Sequence, residues 1–123
     1  MVDPHAVFAL IADLPEVANG GGPDRLAITV GGKGLAWSFN ERVHPKKPRM
    51  PRLDILAVRC AMETKEMLLE AGPDRFFDDD HYRGYPAVLV RLEAIEADEL
   101  KGLLKGAWRA AAPKALIRRS PEV

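Results

Sequence analysis

This chain is short of the residues that usually reveal an enzyme or an anchored protein. Among its 123 residues it has one cysteine, Cys60, three histidines and no net charge, with 18 basic against 18 acidic side chains. A lone cysteine excludes an intramolecular disulfide framework and fits a reducing compartment. No segment reaches the 18 or so consecutive apolar residues that would cross a membrane as a helix. The first dozen residues carry no basic stretch ahead of their apolar ones, so no secretory leader is expected and a cytoplasmic setting is. The balanced charge, with a pI near 6.8, is unlike that of a protein whose whole surface is built for nucleic acid. Repeats and low-complexity tracts are also missing. What remains is ordinary globular composition, 47% hydrophobic and 29% charged, in a chain long enough for one domain with a real core. Residues 1–123 are therefore read as a single domain.

Catalytic and metal motifs are equally scarce. Ser38 and Ser120 stand in no G-x-S-x-G context. Gly20-Gly21-Gly22 and Gly31-Gly32-Lys33-Gly34 lack the P-loop pattern, and neither opens a helix that would receive a phosphate. Cys60 ends an apolar run and is expected to be buried and inert. Asp78, Asp79, Asp80 and His81 offer oxygen and imidazole, but consecutive residues of an extended segment point in different directions and do not converge on an ion. His5 and His44 are isolated. The run reads as a solvated acidic turn, and no catalytic residue, metal or cofactor is expected.

Hydrophobic spacing outlines the fold. Asp3 caps and Pro4 opens a first helix, with Val7, Leu10, Ile11 and Leu14 on one face and Pro15 as its stop. Asn19-Gly20-Gly21-Gly22-Pro23 is a break. Residues 26–30 and 33–39 alternate as two strands joined by the hairpin signal Gly31-Gly32. Residues 53–60 form a third strand, 63–71 a helix stopped by Gly72, 75–77 a short strand and 87–92 the most apolar strand. A helix over 97–111 follows, and Pro113 separates it from a last turn at 114–119. The sum is an α+β domain, an antiparallel sheet of about five strands with helices mainly on one face. Leu10, Ile11, Leu14, Ile28, Leu56, Val58, Val88, Val90, Leu100, Leu103 and Leu104 are the expected core.

One segment departs from the neutral balance. Residues 42–52, R-V-H-P-K-K-P-R-M-P-R, hold five Lys/Arg, one His, three prolines and no carboxylate. The prolines forbid a helix and favour a stiff, extended loop, which holds cations together and away from the domain body. That pattern points to phosphate contact by Arg42, Lys46, Lys47, Arg49 and Arg52, with Lys33 nearby on the preceding strand. A second basic zone, residues 101–119, has six Lys/Arg and no Asp or Glu. Much of this asymmetry follows from the helix dipole. Lys114, Arg118 and Arg119 would extend the first surface if they lay beside the loop. His81, Tyr82 and Tyr85 are the candidates for a ligand cleft. Trp37 and Trp108 are expected in the core or half-buried, and Trp37, if exposed beside the loop, would suit stacking on an unpaired base.

The chain resembles the MmcQ/YjbR family. The likeness runs through Leu14-Pro15-Glu16-Val17, Gly32-Lys33-Gly34-Leu35-Ala36, the stretch F-F-D-D-D-H-Y-R-G-Y-P-A-V-L-V-R-L from Phe76, then D-E-L-K-G-L-L-K-G-A-W-R and A-P-K-A-L. It departs at Tyr85-Pro86, where the family often has a tryptophan. The resemblance implies a fold akin to the frataxin/CyaY arrangement and DNA binding through a double-wing surface, with no catalytic residues to carry over. The functional expectation is a non-enzymatic DNA-binding protein, monomeric or weakly dimeric. The alternatives are a protein-interaction or regulatory module for an acidic partner, and a ligand-binding domain with a cleft near His81.

Overall fold

The computed structural model describes residues 1–22, 25–41, 46–48 and 50–123. In chain order its strands are β1 Val17–Asn19, β2 Ala27–Val30, β3 Lys33–Glu41, β4 Met50–Arg59, β5 Phe76–Phe77 and β6 Ala87–Arg91. They form one sheet in the order β1-β2-β3-β4-β6-β5, and every neighbouring pair is antiparallel. The helices are α1 Met62–Ala71, α2 Ala97–Ala111 and α3 Lys114–Arg119. The α+β reading holds. The sheet has one strand more than the sequence suggested, because the three-residue edge strand β1 is too short to leave a pattern.

The β2–β3 hairpin follows directly from sequence. Gly31 and Gly32 have φ of 56° and 83°, as the two central residues of a type I′ turn require, and Val30 pairs with Lys33 across them. A bulge then lies opposite β2, whose Ile28 and Thr29 pair with Ala36 and Gly34. The extra residue lets both Leu35 and Ala36 enter the core, where neither is exposed to solvent. Ser38 fixes the start of β2: its hydroxyl accepts from Leu26 N–H at 2.8 Å, and its own N–H donates to Leu26 O at 2.9 Å.

The first helix of the sequence reading is not an α-helix. Residues 3–14 wind as successive three-residue turns, including 3₁₀ turns at Pro4–Ala6 and Phe8–Leu10, with bonds such as Leu10 N–H to Val7 O and Leu14 N–H to Ile11 O. A segment this short gains little from helix propagation, and tertiary packing decides its conformation. Val7, Ile11 and Leu14 are buried as expected, while Leu10 is only partly so.

Two cores flank the sheet. The larger lies under the helices, with Ile28, Leu56, Val58, Val88 and Val90 from the strands meeting Leu100, Leu104, Ala107 and Trp108 from α2. Those α2 positions recur at helical spacing, and each fully buried large side chain contributes about 1.5–3 kcal/mol. Leu103 sits at the margin of this core, only partly buried. The Trp108 indole donates to Pro15 O at 2.9 Å, which ties the amino-terminal turns to α2. The smaller core occupies the helix-free face: Phe39, Ile55, Ala57, Ala87 and Leu89, with Tyr82 closed over them.

Candidate nucleic-acid interface

The β3–β4 connection is shorter than the sequence suggested. β4 begins at Met50, so the last part of the basic run belongs to a strand and the connection is 42–49. Lys46 and Lys47 are exposed there; Arg42, His44 and Arg49 lie outside the described residues. Arg52 has a different role. Its guanidinium bridges Asp54, with Nε to Oδ1 at 3.0 Å and Nη2 to Oδ2 at 2.5 Å, and its Nη1 reaches Glu41 Oε1 at 3.3 Å. The hydrogen bonds from Arg52 hold the Asp54 carboxyl below the ordinary carboxylate range and stabilise the charged guanidinium in turn. Arg52 is therefore a strand residue with its charge matched by two neighbours, and it braces the base of the hairpin.

Lys33 and the carboxy-terminal cations do not join this surface. Lys33 opens β3, and the connection follows the far end of the strand; eight residue steps at about 3.3 Å separate the ends by roughly 26 Å. α3 lies at the Lys33 end. A Cβ on Gly31 would meet Pro113 at 3.0 Å, and Arg119 Nη2 is 3.9 Å from Glu16 Oε2, a residue whose carbonyl accepts from Gly31 N–H. Lys114 and Arg118 are exposed at this same end. The fold thus splits the single surface suggested by sequence into two, because hairpin topology sends successive turns to opposite ends of the strands.

His81, Tyr82 and Tyr85 belong to a strap, residues 78–86, laid across the helix-free face. Tyr82 is buried, its hydroxyl accepting from the Trp37 indole at 2.8 Å, while His81 and Tyr85 are exposed. The three line neither a groove of about 260 Å³ between α1 and α2 nor a smaller hollow of about 120 Å³ beside His5 and Arg25. The acidic run is less solvated than its composition suggests. Asp78 approaches the Lys65 ammonium at 3.1 Å, Asp79 accepts from Tyr82 N–H at 2.9 Å, and Asp80 pairs with Arg83 at 2.8 Å. Each carboxylate serves a different partner.

The side chain that sequence reasoning missed is Lys65. It is 1% exposed, and its ammonium donates to Tyr82 O at 2.7 Å and Tyr85 O at 3.0 Å. Lys65 thereby fastens the strap to α1. Nothing in Glu63-Thr64-Lys65-Glu66 distinguishes it from an ordinary solvated helix residue. Cys60, expected to be buried, is half-buried just past β4; burial still pushes its thiol pKa up, so it is a poor nucleophile at neutral pH.

Comparison with known proteins places this architecture. The YjbR family model matches residues 12–110. The chain belongs to the YjbR family. It is 40% identical over 96 residues to the uncharacterised proteins Rv2570 of Mycobacterium tuberculosis and Mb2600 of Mycobacterium bovis, matches that cover 72% of this chain and 74% of each relative. The crystal structure of Deinococcus radiodurans protein DR2400, of domain DUF419, superposes with a TM-score of 0.64 over 94% of this chain and 85% of that one at 19% identity, a likeness of fold. Among the described residues no helix is long and apolar enough to cross a membrane.

Proposed function

We propose that this YjbR-family protein is a non-enzymatic, cytoplasmic nucleic-acid-binding protein that contacts phosphates through the β3–β4 connection. The observation that carries the reading is the composition of that connection. Residues 42–49 contain Arg42, Lys46, Lys47 and Arg49 and no carboxylate, and Lys46 and Lys47 are exposed at the end of a hairpin whose base Arg52 braces through Glu41 and Asp54. A segment held at both ends by paired strands loses less conformational entropy than a free tail when it meets a polyanion. The double-wing surface implied by the family resemblance agrees with a β3–β4 hairpin whose connection carries this charge.

Phosphate contact of this kind is independent of sequence and weakens with salt. Four neutralised phosphates give a slope of log K against log salt of about −3.6 on duplex DNA. The test is a salt titration of binding to a labelled random duplex. Lys46→Ala/Lys47→Ala/Arg49→Ala flattens the slope by about 0.9 for each phosphate no longer neutralised. A slope the triple variant leaves unchanged counts against the reading, and so does absence of binding at low salt.

A further inference from the structure

The helix-free face carries an arrangement that phosphate contact alone leaves unused. At the margin of the strap, the Trp37 and Tyr85 rings meet edge to face, with centroids 6.5 Å apart and planes at 78°. Tyr85 is 42% exposed. The Trp37 indole is held by its bond to Tyr82 Oη at 2.8 Å; the Tyr85 backbone is held by its carbonyl, which accepts from the buried Lys65 at 3.0 Å, and its ring also meets the Tyr82 ring edge to face at 5.9 Å. The Arg59 guanidinium carbon stands 5.8 Å from the Trp37 ring centroid, oriented by a hydrogen bond from its Nε to Gly34 O at 2.6 Å. An exposed ring packed against a fixed, half-buried indole that itself faces a guanidinium is a combination on which a flat, weakly polar ring stacks.

The position of the pair indicates which ring. Trp37 lies four residues before Glu41 on β3, so the platform sits about 13 Å from the start of the basic connection along one strand. That spacing matches about four nucleotides of a stacked strand and fewer of an extended one. A chain with its phosphates on the connection would lay its bases along β3 toward Trp37 and Tyr85. Duplex DNA keeps its bases paired and cannot offer their faces, whereas a single strand can.

We infer that Tyr85, with Trp37 and Arg59, is a stacking site for an unpaired base, and that this protein binds single-stranded nucleic acid in preference to duplex. The inference rests on the nucleic-acid reading above and names its substrate class. Stacking recognises the face common to all bases, so the site is tolerant of sequence.

The test is titration of the full chain with a 16-mer of dT and with a 16-base-pair duplex at low salt, followed by anisotropy of the labelled nucleic acid and by tryptophan fluorescence. Trp108 is fully buried, so quenching on binding reports Trp37. The expected result is tighter binding of dT than of duplex, with quenching. Tyr85→Ala weakens dT binding about 5- to 150-fold, leaves duplex affinity unchanged, and Tyr85→Phe restores the wild-type value. Tyr85→Leu, which keeps apolar bulk over the strap, separates loss of stacking from loss of structure and behaves like Tyr85→Ala. Equal dT affinity in wild type, Tyr85→Ala and Tyr85→Leu overturns the stacking site. If binding nevertheless falls in Lys46→Ala/Lys47→Ala, the phosphate reading stands without it. Absence of binding to either probe overturns both.

Discussion

Replacing Lys65 with methionine tests how the helix-free face is held. The substitution keeps the length of the side chain and removes its charge and its donors. In the native protein the ammonium satisfies Tyr82 O at 2.7 Å and Tyr85 O at 3.0 Å and stands 3.1 Å from Asp78 Oδ1. That carboxylate oxygen is buried without a hydrogen bond, so Lys65 compensates it by charge rather than by an aligned donor. Methionine leaves two strap carbonyls without their donor and a partly buried carboxylate without its counter-ion. Removing one member of a buried pair typically costs 3–5 kcal/mol, and hydrogen bonds to a charged group contribute about 1.5–3 kcal/mol each. The expected loss for Lys65→Met is about 3–5 kcal/mol, a fall in Tm on the order of 10–20 °C for a domain of this size. Urea denaturation followed by tryptophan fluorescence measures it. Lys65→Met/Asp78→Asn recovers part of the loss, since no unpaired charge then remains. A loss below about 1 kcal/mol with unchanged near-UV circular dichroism refutes the assignment of Lys65 as the fastening of the strap.

Three further outcomes follow from the same geometry. Ser38→Ala leaves the N–H of buried Leu26 unpaired and lowers stability by about 1–3 kcal/mol in denaturant titration. Hydrogen bonding to Arg52 depresses the Asp54 pKa below 3.8. Its stabilising contribution is therefore complete above the unfolded carboxyl value and disappears as pH falls through the lower folded value. The stability gap between wild type and Asp54→Asn is constant near neutrality and closes in acid, and it stays under about 1 kcal/mol because the pair faces solvent. Burial raises the Cys60 thiol pKa, so at pH 7.5 the native protein reacts with a chromogenic disulfide more slowly than free cysteine does, and urea removes the difference.

Much of the fold was legible because its signals are local. Gly31-Gly32 reaches without steric cost the positive φ at two successive residues that the tight hairpin turn needs, and the apolar spacing from Leu100 to Trp108 specifies the face α2 buries. The amino-terminal segment shows the limit of periodicity: Val7, Ile11 and Leu14 are buried either by an α-helix or by successive three-residue turns, and the spacing does not distinguish the two. Strand β1 left no pattern because its three residues are held by backbone pairing to β2. The candidate surface was legible as composition but not as geometry. Residues 42–52 advertise their charge, yet the pairing of Arg52 with Glu41 needs β3 and β4 in register. The separation of Lys33 and Lys114 from the basic connection is likewise a consequence of topology. Lys65 is the sharpest case, a helix residue of ordinary appearance whose burial is imposed by a strap that closes over it from elsewhere in the chain.

On the proposed function, one end of the sheet meets nucleic acid and the other does not. The most direct measurement compares two sets of substitutions in one salt series on a labelled random duplex. Lys46→Ala/Lys47→Ala/Arg49→Ala removes cations from the β3–β4 connection, and Lys33→Ala/Lys114→Ala/Arg118→Ala removes as many from the opposite end. The expected result is that the first set flattens the slope by about 0.9 for each phosphate left without its cation and that the second leaves it at the wild-type value. Equal flattening by both sets, or flattening by the second alone, contradicts it.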